Sequence, residues 1–156
     1  MSDYGRRKRD PRELASDLAE IGLLSEKQSA AYIYFEVIDD PDKQPEDLFH
    51  ISEEELRNER EDAVNLVKSA KKVKRMENRG TNQTEMMDIL AGTGLLSGEQ
   101  AEAYSTYGNI SDNAASEELG RSIDDIRDDS EQVETILEQS RRVYGFVVQH
   151  AGVEAY

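Results

Sequence analysis

The chain has 156 residues, no cysteine and no tryptophan, and 34 acidic residues against 19 basic ones give it a formal net charge of −15. Without cysteine there is no disulfide and no thiolate metal site, and His50 and His150 stand without ligand spacing, so no zinc site and no cofactor is expected. The sequence has no apolar run of the roughly eighteen residues that a membrane span needs, and no apolar stretch follows the basic start, which predicts a cytoplasmic protein without a membrane partner.

Arg6, Arg7, Lys8 and Arg9 form a basic arm over residues 1–10. Asp10-Pro11-Arg12-Glu13 then starts a helix, with aspartate as N-cap and proline in the first turn. Leu14, Leu18 and Ile21 recur at helical spacing until Gly22. Ser25 to Gln28 spell a capping box that opens a second helix carrying Ala31, Tyr32, Phe35 and Ile38, closed by Asp39-Asp40-Pro41. Pro45 to Phe49 predict a short third helix. Ser52 to Glu55 cap a long fourth one, which runs to Asn78 or Arg79 with an apolar stripe of Leu56, Ala63, Leu66, Ala70 and Val73. Gly80 ends it, dividing the chain into repeats at 11–79 and 80–156.

The second half repeats this plan. Met86, Met87 and Leu90 lie on its first helix, and Ser97 to Gln100 make the matching capping box. Ser111 to Leu119 predict the short helix, Gly120 the turn and Ser122 the last cap. The final helix carries Ile126, Val133, Ile136, Val143 and Val147. The stretch GLLSEKQSAAY at Gly22 returns as GLLSGEQAEAY at Gly94, an offset of 72; from Phe49 and Leu119 onward the offset is 70. The expected fold is therefore all-α: a tandem repeat of two helix-turn-helix-containing four-helix units, each ending in a long helix, related by duplication.

In the second half Ser116, Leu119, Gly120, Ser122 and Ile126 stand at the small residue, leucine-glycine turn, serine cap and aliphatic position of a helix-turn-helix. With the lead-in from Leu95 to Tyr104, this resembles sigma factor region 4 and the LuxR-type DNA-binding domains over about fifty residues. In the first half Glu46 takes the small position and His50 the glycine turn, which resembles a degenerate copy. The resemblance implies a DNA-binding regulator.

The charge pattern complicates that implication. The second helix of each motif offers carboxylates (Asp124, Asp125, Asp128 and Asp129; Glu53, Glu54, Glu55 and Glu59) where guanine and phosphate would need cations. Cations gather elsewhere, in the arm and in Lys68, Lys71, Lys72, Lys74, Arg75 and Arg79. Candidate nucleic-acid contacts are therefore Arg6, Arg7, Lys8, Arg9, Lys68, Lys71, Lys72, Lys74, Arg75, Arg127, Arg141 and Arg142. The bland alternative is that helix C-termini attract cations through the helix dipole. No nucleophile–base pair is recognisable, so no enzymatic activity is expected. A protein partner on the acidic face is the rival to DNA, and a homodimer is left open. Carboxylates spread through nearly every segment suit molar salt, where the Debye length falls to about 3 Å.

Overall fold

The computed structural model describes residues 10–38 and 44–151. Every regular element among them is helical: α1 (Pro11–Ile21), α2 (Glu26–Tyr32) with a π-helical continuation (Ile33–Val37), α3 (Pro45–Phe49), α4 (Glu53–Arg79), α5 (Gln83–Thr93), α6 (Gly98–Tyr107), α7 (Asp112–Leu119) and α8 (Ile123–Ala151). The basic arm and the Asp39-Asp40-Pro41 stop lie outside the described residues.

The capping residues set the helix starts. Asp10 accepts from the Arg12 backbone N–H at 2.9 Å, with Pro11 at the first helical position. Ser25 and Gln28 exchange bonds of 3.1 and 2.9 Å, and Ser97 and Gln100 two of 3.0 Å, closing both predicted capping boxes. Ser52 and Ser122 each accept from the backbone N–H three residues on, at 3.2 Å. Such caps stabilise a helix by about 1 kcal/mol each.

The periodicity of the second helix does not announce the π-helical turn. There the Ile38 N–H reaches back five residues to the Ile33 carbonyl at 3.0 Å. Between the second and third helices the first half carries two more residues than the second, and the wider turn falls in that stretch.

His50 and Gly120 end α3 and α7 in the same left-handed conformation, at φ 59° and 66°. Among the described residues His50 is the one non-glycine with positive φ. Left-handed backbone costs a residue with a Cβ about 1–2 kcal/mol, so the two positions should respond oppositely. Gly120→Ala is expected to destabilise by about 1 kcal/mol, and His50→Gly to stabilise by somewhat less because glycine also loosens the unfolded chain. Urea melts of the two variants check both signs.

Buried residues recur at matching places in the two halves. Leu18 and Leu90, Leu24 and Leu96, Ala31 and Ala103, Leu56 and Ile126, Ala63 and Val133, and Val73 and Val143 are all buried. Two stripe positions differ from expectation. Leu66 and Ile136 are half-buried, and the deeper seats belong to their neighbours Val67 and Leu137. A strict seven-residue pattern drifts by about 20° per heptad on a straight helix, which moves the buried face sideways along so long an element. Ser29, fully buried on α2, has a hydroxyl without a hydrogen-bond partner, and alanine fills its counterpart position at Ala101.

The described residues form two compact units. The first comprises those up to Leu66 and those from Phe146 onward; the second runs from Val67 to Gly145. The division falls inside α4 and α8, and Gly80 lies at the junction of α4 with α5. In the second unit Val73 and Met76 of α4 pack with Met86, Met87 and Leu90 of α5, Leu96, Ala101 of α6, and Val133 and Leu137 of α8. A smaller cluster joins Ala103, Ala115 and Ile126, with Tyr107, Leu119 and Ile123 at its edge.

Candidate nucleic-acid interface

A short turn at Gly120 and Arg121 joins α7 to α8. The Gly120 and Arg121 backbone N–H groups donate to the Ser116 carbonyl at 2.9 and 3.3 Å, and the Ser116 hydroxyl donates to the Arg121 carbonyl at 2.6 Å. Ser116 therefore ties the turn, while the small residue that admits close helix packing is its neighbour Ala115, fully buried against Ala103 and Ile126. In the first unit Pro45, the first residue of α3, is buried at the position matching Ala115.

The exposed start of α8 presents Asp124, Asp125 and Asp128. The two arginines nearest to it, Arg121 in the turn and Arg127 on the helix, are engaged. Arg121 pairs with Asp129, which is half-buried and so not part of the open face. Arg127 donates from Nε to the Tyr107 hydroxyl at 3.1 Å and from Nη2 to Asp112 at 2.6 Å. Those hydrogen bonds hold its guanidinium above its usual pKa. As a candidate nucleic-acid contact, Arg127 is committed to tying α6, α7 and α8 together.

Arg141 is committed too. It grips Glu77 on α4 with bonds of 3.0 and 2.9 Å from Nε and 2.7 Å from Nη2, and the hydrogen bond to Glu77 raises its pKa. Beside it, the Tyr104 hydroxyl donates to Glu134 at 3.1 Å, and burial followed by that bond pushes the phenol up. Arg142 is exposed. Glu77, Tyr107 and Asp112 escaped the sequence reading because nothing in the spacing links residues so far apart in the chain.

The second half of α4 is different. Lys68, Lys72, Arg75 and Arg79 follow one another at steps of four, three and four residues, so they share one helix face, and all four are exposed. Val67, Ala70, Val73 and Met76 occupy the buried side. No described residue pairs with any of these four cations. Lys71 and Lys74 sit half-buried on the flank. The one carboxylate between Val67 and Arg79 is Glu77, turned to Arg141, so the segment carries six cations and one anion in a chain of net charge −15. At about 1.5 Å per residue the exposed row is about 16 Å long. Arg6, Arg7, Lys8 and Arg9 lie outside the described residues.

Among the described residues no group of three or more histidines and carboxylates could hold a metal ion, and no helix is long and apolar enough to cross a membrane. In the first unit an open groove of about 630 Å³ runs between α1, α2 and α3, with Leu24, Leu48, Phe49 and Ile51 inside and Arg12 and His50 on its lining. No family model, curated protein or solved structure matches this chain.

Proposed function

We propose that the chain is a non-enzymatic DNA-binding protein of the cytoplasm, a regulator or other DNA-associated factor built by duplication of a helix-turn-helix unit. The observation that supports it is the row of Lys68, Lys72, Arg75 and Arg79, exposed on one face of α4 and free of carboxylates. A row of this kind neutralises phosphates and releases their counterions. The excess over one or two cations is more than a helix dipole at the C-terminus of α4 asks for. Repetition of caps, turn conformation and buried positions in the two halves supports the tandem origin. Titrating a labelled duplex with the protein at stepped potassium chloride tests the function. Binding that strengthens steadily as salt falls is expected, and no binding at any salt would contradict it.

Asp124, Asp125 and Asp128, exposed on α8, favour a second reading in which the helix-turn-helix scaffold docks a basic protein partner through this face. Absence of DNA binding would leave that reading standing. The net charge supports work at high salt, since self-repulsion opposes the compact state in dilute buffer and is screened in concentrated salt. Thermal midpoints are expected to rise with potassium chloride up to molar concentrations; a flat or falling series would remove the high-salt reading.

A further inference from the structure

We infer that duplex DNA is held through its phosphates alone, along one row on α4, and that the helix-turn-helix does not read bases. This rests on the DNA-binding function proposed above and defines its ligand as duplex of any sequence. Base reading by α8 needs a side chain that can donate to guanine or adenine from the exposed start of the helix. Arg121 and Arg127 are the two cations near that start, and both are already spent, Arg121 on Asp129 and Arg127 on Tyr107 and Asp112. Beside the paired Arg127, the exposed charges there are Asp124, Asp125 and Asp128, which repel the phosphates flanking any base they could approach.

The cationic row has the opposite character. Its two lysines are flexible point charges and its two arginines are forks that match phosphate oxygens, and all four stand in line along one exposed face. The counterpart positions on α8 are Glu138, Arg142, Gly145 and Gln149, so the second half offers no such row.

The test compares two labelled duplexes of equal length, one rich in G·C and one in A·T, by fluorescence anisotropy at fixed low salt. Wild type should bind both with affinities within about twofold. Asp128→Asn, a change on the exposed face, should leave both unchanged or slightly tighter. Arg127→Gln, checked for retained helicity, should change neither by more than about twofold. A preference above about tenfold, or a loss on one duplex alone in Asp128→Asn, would overturn the inference while DNA binding itself survives. Failure of wild type to bind either duplex would remove both together.

Discussion

Replacing Ile126 by alanine is expected to destabilise the protein by about 3–5 kcal/mol, the upper part of the range for emptying a buried aliphatic site. Ile126 is fully buried, and its closest buried companions are Ala103 and Ala115. Alanines have no side-chain reach with which to close the space, and Arg127 links their helices to α8 through Tyr107 and Asp112. The cavity should therefore stay largely open, which is the condition for a large cost. Ile136→Ala, at a half-buried position on the edge of the larger cluster, should cost markedly less. Urea unfolding of both variants measures the difference; equal losses would mean that the small cluster of Ala103, Ala115 and Ile126 is not a rigid part of the core.

Much of the helical plan was legible because local chemistry determines it. Asp10, Ser25, Ser52, Ser97 and Ser122 mark helix starts in the sequence and cap them in the structure, since a cap is satisfied by residues within three positions of it. His50 was placed at a turn by its alignment with Gly120, and it takes the same left-handed backbone. What stayed hidden depends on distance or on register. The π-helical turn at Ile33 needs a one-residue change of pairing that periodicity over five residues does not resolve. The first compact unit ends at Leu66, inside α4, where no breaker stands in the sequence. Charge alone also could not separate engaged from available cations. Arg127 and Arg141 look like Lys68 and Arg75 in the sequence, and only packing across α4, α6, α7 and α8 brings Glu77, Tyr107 and Asp112 to the first two.

The most direct measurement of the DNA-binding account is the salt dependence of duplex affinity for wild type and for a variant with Lys68, Lys72, Arg75 and Arg79 all replaced by glutamine. Each phosphate neutralised on a duplex contributes about 0.9 to the slope of log affinity against log salt, so four contacts amount to about 3.6. All four side chains are exposed and none holds another element in place, so the variant should keep its fold and its thermal midpoint close to that of wild type. The expected result is a slope flatter by up to about 3.6 with affinity largely lost at low salt. Wild-type affinity and slope in the variant would contradict the assignment of the row on α4 as the surface that holds DNA.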